Sequence, residues 1–151
     1  MGLFDFVKDV GAKLGLGNNE EEEIAEEAAK AAALSEMIRN FGFDVDDVQI
    51  RFDDGVATAT GTVPSQAEKE KIILALGNTN GVAQVDDQMD VVAPAPDSTF
   101  YTVQPGDSLS KIAKAQYGDP MKYPMIFEAN KPMLKDPDLI YPGQVLRIPL
   151  D

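Results

Sequence analysis

Apolar residues recur along this chain with two different periods, and the periods mark its elements. Leu3, Phe6, Val7, Val10 and Leu14 fall at three- and four-residue steps, which predicts an amphipathic helix near the start of the chain. Gly15, Gly17, Asn18 and Asn19 then end it with turn residues. Residues 20–23 are all glutamate and read as the solvated first turn of a second helix, where acids suit the positive end of the dipole. Ile24, Ala28, Ala31, Leu34, Ile38 and Phe41 supply that helix's buried stripe, and Gly42 breaks it. The period then drops to two. Val48, Ile50 and Phe52 alternate with polar residues, and residues 56–62 are rich in Val, Thr and small side chains. Asp53-Asp54-Gly55 between them predicts a hairpin turn. Ser65 and Glu68 form a capping-box pair ahead of Ile72, Ile73 and Leu76, with Gly77 as a left-handed stop. A strand follows from Val82 to about Val91.

The order helix, hairpin, helix, strand predicts an α+β sandwich with helices on one face of a small mixed sheet. Residues 92–99 carry two prolines and no apolar period, and read as a linker. A second module starts at residue 100. Tyr101-Thr102-Val103 is a short strand, and the turn after it leads to a helix capped by Asp107 or Ser108, with Leu109, Ile112 and Ala113 inside. Asp119-Pro120 opens another helix, buried through Tyr123, Ile126 and Phe127. A turn at residues 140–144 feeds a last strand at 145–149. The expected organisation is an N-terminal helix on the first module (1–19), that module (20–91), the linker (92–99) and a βααβ module (100–151).

Composition narrows the chemistry. The 151 residues include no cysteine and no histidine. Thiolate metal sites, disulfides and Ser-His-Asp or Cys-His catalysis are therefore excluded. Paired carboxylates could still catalyse, but no deep-cleft scaffold is evident in so short a chain, so the expectation is a binding protein rather than an enzyme. The Asp44–Val48 stretch fails the calcium-loop pattern because Val48 occupies the third ligand position. A net charge of −13 repels nucleic acid and anionic lipid and attracts cations. The N-terminus lacks the basic start and apolar run of a signal peptide, and no stretch reaches the ~18 apolar residues of a membrane span. The expectation is a cytoplasmic monomer that binds neither nucleic acid nor membrane.

The second module resembles the LysM family through Tyr101-Thr-Val-Gln-Pro-Gly-Asp-Ser-Leu109, Ile112-Ala113, residues 126–130 and Ile140-Tyr-Pro-Gly-Gln-Val-Leu-Arg-Ile-Pro149. That resemblance implies a groove for N-acetylglucosamine polymers between two loops, formed by Gly106, Asp107, Ser108 and Leu109 and by Ile140, Tyr141, Pro142 and Gly143. Local turn and core roles explain the same residues. The first module resembles a BON domain through its hairpin, Gly61-Thr-Val63 and Gly81-Val-Ala-Gln-Val-Asp-Asp87. Together with the start Met1-Gly-Leu-Phe-Asp-Phe-Val-Lys-Asp9, the whole chain resembles the bacterial cytoplasmic BON–LysM potassium-binding type. The resemblance implies a sensor or buffer that compacts on binding one K⁺. It implies that backbone carbonyls of Val7, Lys8, Val10, Gly77, Thr79 and Val82 hold the ion. Neutral carbonyls suit a large monovalent ion, whereas carboxylate cages suit divalent ones. Read locally, residues 74–82 are equally an ordinary helix cap and turn. The competing function is a glycan-binding adaptor acting through the LysM module.

Overall fold

The hairpin turn sets the geometry of the first unit. Asp54 and Gly55 both have positive φ, 50° and 83°, the combination that matches the twist of the flanking strands. The computed structural model describes residues 2–6, 20–43 and 47–150. Its elements are β1 (Gly2–Asp5), α1 (Glu20–Asn40), β2 (Val48–Asp53), β3 (Val56–Ser65), α2 (Gln66–Gly77), β4 (Gln84–Ala93), β5 (Thr99–Thr102), α3 (Leu109–Tyr117), α4 (Tyr123–Ala129) and β6 (Val145–Ile148). A 3₁₀ turn at Pro120–Lys122 precedes α4.

Across the turn, β2 and β3 pair antiparallel, with Ile50 opposite Ala59. Helix α2 carries the chain from β3 to β4, which returns parallel to β3 with Ala57 opposite Val85. Strand β1 adds to the free side of β4, antiparallel, with Phe4 opposite Val85. Among the described residues this gives one mixed sheet in the order β1-β4-β3-β2. Strand side chains alternate between faces, so Phe4, Val85, Ala57, Ala59, Met89 and Val63 share the inner one. α1 packs on β2, and α2 on β3 and β4. Leu34, Ile38, Ile72, Ile73 and Leu76 fill the space between helices and sheet, each almost fully buried. Lys69 on α2 reaches the buried Asp87 on β4 at 2.9 Å, and the second Asp87 oxygen accepts from the Met89 amide at 3.0 Å. The pair fixes α2 over the sheet without leaving a buried charge unpaired.

Several expectations need correction. Residues 2–5 form an edge strand, not the start of a helix. Leu3 is 58% exposed while Phe6 is buried, so they do not share a buried face. The spacing of Leu3 and Phe6 suits a helix, but the open side of β4 offers backbone hydrogen bonds, and tertiary pairing overrides the local period. Val7, Val10 and Leu14 lie outside the described residues. So do Asp44 and Ile24's side chain. Ala28 is exposed rather than buried. The last strand begins at Gln84 rather than Val82, because the Val82 amide donates back to the Thr79 carbonyl at 3.2 Å and closes a turn.

The chain divides into residues 1–94 and 95–151. In the second unit β5 and β6 pair antiparallel, with Tyr101 opposite Leu146. Val103, Leu109, Ile112, Ile126, Leu134, Leu146 and Ile148 form its core. Asn130, 1% exposed, clamps this core. Its amide nitrogen donates to the carbonyls of Ile126 (2.7 Å) and Arg147 (2.9 Å), and its oxygen accepts from the Arg147 amide (2.7 Å). Asn130→Ala removes three bonds at a buried site and should cost about 2–4 kcal/mol. All four tyrosines lie in this unit, so urea unfolding followed by tyrosine fluorescence reads it selectively. An unchanged midpoint would mean that the clamp is energetically idle.

Candidate functional site

The last carbonyls of a helix have no intrahelical partner, and at the end of α2 most of them can be accounted for. The Leu74 carbonyl accepts from the Asn78 amide at 2.9 Å and the Leu76 carbonyl from the Thr79 amide at 3.2 Å. The Thr79 hydroxyl donates to the Ala75 carbonyl at 2.8 Å. Among the described residues, no hydrogen-bond donor reaches the carbonyl of Gly77 or of Val82. The Thr79 carbonyl accepts only the long bond from Val82 and keeps a second lone pair. The turn thus gathers neutral oxygens at the negative end of a helix dipole, with Gly77 and Val82 themselves buried.

Gly77 does not cap α2 in the left-handed conformation. The cap is Asn78, with φ −80° and ψ −1°, and Gly77 is the last helical residue. Its reason for being glycine lies in packing. A Cβ on Gly77 would sit inside the Phe6 ring, so the bare Cα is what lets the ring rest there. The Phe6 amide donates to the Ala83 carbonyl at 2.8 Å, and Gln84 Nε2 donates to Asp5 at 2.6 Å. The Ala83 and Gln84 amides in turn donate to the Gly55 carbonyl at 2.8 and 3.2 Å. The end of β1, the end of α2, the hairpin turn and the start of β4 therefore meet at one end of the sheet.

Val7, Lys8 and Val10 lie outside the described residues. Of the six residues expected to hold an ion, Gly77, Thr79 and Val82 lie together at the end of α2 and in the turn after it, and Phe6 packs on Gly77. Among the described residues no cluster of three carboxylates could hold a metal. The neutral oxygens of this turn suit a monovalent cation better than a divalent one.

Helix α1 makes one attachment to this turn and one to the hairpin, and local sequence signals neither. Lys30 on α1 donates from Nζ to the Asn80 carbonyl at 2.7 Å, and Glu27, one helical turn earlier, accepts from the Asp54 amide at 2.6 Å. Both bridge residues far apart in the chain, and their only trace in the sequence is that they share one face of α1.

In the second unit, the two expected groove loops meet at one end of the β5–β6 ribbon. The Val103 amide donates to the Gln144 carbonyl and the Gly143 amide to the Val103 carbonyl, at 2.8 and 2.9 Å. Ser108, not Asp107, caps α3, accepting from the Lys111 amide at 3.2 Å. Leu109 is a core residue, 3% exposed, and offers no side chain to a groove. Tyr141 and Pro142 are exposed, while Ile140, Gly143 and Ser108 are half-buried and Gly106 is exposed.

A BON domain model matches residues 22–93, and a LysM domain model matches residues 101–149. The chain is 52% identical over 150 residues to the potassium binding protein Kbp of Escherichia coli O6:H1, with 99% of each chain covered. This chain belongs to the BON–LysM family of Kbp. It is also 61% identical over 51 residues to an uncharacterized protein of Deinococcus radiodurans, covering 34% of this chain and 19% of that one. Over 53 residues it is 49% identical to the esterase MT1326 of Mycobacterium tuberculosis, 35% of this chain and 11% of the esterase. The architecture is α+β, with the BON module preceding the LysM module.

Two predictions follow from these loops and packing contacts. In the BON module, Gly77→Ala must expel the Phe6 ring, an overpacking cost of about 1–3 kcal/mol. Exchange of the Phe6 amide should then accelerate at least about tenfold, whereas unchanged protection would show that the ring does not depend on the missing Cβ. In the LysM module, Tyr101 donates to Asp107 Oδ2 at 2.6 Å, and the Gln104 amide donates to the same oxygen at 2.8 Å. The Tyr101 bond, then the Gln104 amide, hold the Asp107 carboxyl below its ordinary value of 3.8, with a smaller contribution from the Lys111 charge. That same bond, then burial and the Asp107 charge, raise the Tyr101 phenol above 10.0. A lowered acid contributes stability above its unfolded pKa and loses it as pH falls through the folded one. A raised phenol contributes below its unfolded pKa and loses it as pH climbs through the folded one. The stability gap between wild type and Asp107→Asn should therefore be flat between about pH 5 and pH 9 and shrink on either side. Urea midpoints across pH check this, and a gap that widens in acid contradicts it.

Proposed function

We propose that the protein binds one dehydrated potassium ion through main-chain carbonyls of Val7, Lys8, Val10, Gly77, Thr79 and Val82, and acts as a cytoplasmic sensor or buffer of that ion. It is a binding protein, not an enzyme. The observation that carries this reading is the end-to-end similarity to a protein named for potassium binding. The carbonyl accounting at the end of α2 supports it, since no donor among the described residues reaches the Gly77 and Val82 oxygens.

The chain's own residues prepare the binding. Phe6 is seated on Gly77, beside the oxygens assigned to the ion. Thr79 ties off the Ala75 carbonyl with its hydroxyl, which leaves the later oxygens to the cation. A net charge of −13 raises the local concentration of cations of any kind. Selection among them falls to the carbonyls, which replace potassium's water more readily than sodium's. Carbonyls gathered without an ion repel one another. The ion therefore favours the closed arrangement, in which the N-terminal segment lies on the BON module, and the molecule compacts.

The test is a titration with potassium chloride against sodium chloride at constant ionic strength. At a potassium concentration about 100 times Kd, binding to the folded state alone adds about 2.7 kcal/mol. The melting temperature should rise and the radius of gyration fall in potassium, and much less in sodium. Matching curves in the two salts would contradict the reading. The LysM module keeps a second reading alive, since its exposed Tyr141 and Leu139 flank the loop that the family model covers. A melting shift with chitin oligomers and none with potassium would put that reading first.

A further inference from the structure

The Lys30 ammonium sits on the same turn to which the proposed site assigns three of its oxygens. Nζ lies 2.7 Å from the Asn80 carbonyl, between Thr79 and Val82 in the chain, and 3.6 Å from where a Cβ on Gly81 would be. A primary ammonium resembles a potassium ion in charge and in its demand for carbonyl oxygens. Lys30 is therefore a cation already bound at the edge of the turn. Its carbonyl, Asn80, is one that the ion set leaves out.

We propose that Lys30 sets the affinity and the response of this turn, as a built-in cation that holds the turn in shape without potassium and repels the ion when it arrives. The proposal rests on the potassium reading. Two opposing effects follow from one contact. The Nζ–O bond ties α1 to the turn and stabilises the ion-free form. The positive charge, within several ångströms of any ion held by Thr79 and Val82, weakens binding. Unit charges at that range, at the effective dielectric of a protein surface, shift an equilibrium by about tenfold or more. Glu27, on the same face of α1, remains held by the Asp54 amide when Lys30 is changed, so the local field then turns further toward cations. Lys30 is a positioning residue, since its side chain touches the turn and not the ion.

The test compares wild type with Lys30→Met and Lys30→Arg, full-length, by thermal unfolding and by potassium titration. In potassium-free buffer, Lys30→Met should melt below wild type, and amides 78–82 should exchange faster. In potassium it should bind about tenfold more tightly, so its melting rise is larger and the gap to wild type closes. Lys30→Arg should keep the weaker affinity of wild type. If Lys30→Met binds potassium equally or less tightly while wild type responds normally, Lys30 is only a structural clamp and the proposal is overturned. If wild type itself does not distinguish potassium from sodium, the ion site and the role of Lys30 fall together.

Discussion

A phenyl ring resting on a residue without a side chain organises the working end of this molecule. Phe6 occupies the space where a Cβ of Gly77 would be, and its amide is bonded to Ala83. One residue thereby joins the edge of the sheet, the last turn of α2 and the start of β4. The contact fixes the last described residue of the N-terminal strand against the end of α2. Edge strands are normally protected from unwanted pairing by other means. Here β1 is itself the cover of the β4 edge, and the Phe6 ring locks the cover in place.

The candidate site at that end offers neutral groups. The helix dipole and the turn supply partial negative charge without a carboxylate, and Gly77 and Val82 retain oxygens that no described donor reaches. In the proposed reading this suits an ion whose water is cheap to remove, in a chain whose net charge of −13 attracts cations in general. Fixed positive charge is present too, at Lys30. In the proposed sensor the affinity has to fall within the working range, and an ammonium beside the turn would lower it without altering the ligands.

The sequence was legible where local chemistry dominates. Asp54-Gly55 made its turn, Ser65 and Ser108 capped their helices, and Gly42 ended α1 with φ 89°. The alternation of Val48, Ile50 and Phe52 produced β2. It misled where partners distant in sequence decide. The spacing of Leu3 and Phe6 is compatible with a helix, and only the open side of β4 makes residues 2–5 a strand. Gly77 looked like a left-handed cap because glycine commonly is one. Its real partner lies at residue 6, and no local pattern encodes that. Leu109, Ile112 and Ala113 form the buried face of α3, as their spacing indicates. The bonds of Lys30 and Glu27 to Asn80 and Asp54 have no local signal and become visible only once α1 lies over the loops.

The central claim is that main-chain oxygens from the start of the chain and from the turn after α2 converge on one alkali ion. Crystals grown with rubidium in place of potassium test it most directly, through the anomalous signal of the heavier ion. The account predicts one strong peak beside Gly77, ringed by carbonyls of residues 7, 8, 10, 77, 79 and 82, with no carboxylate among the ligands. A map with no peak there, or one whose peak is coordinated by aspartate and glutamate side chains, would contradict it.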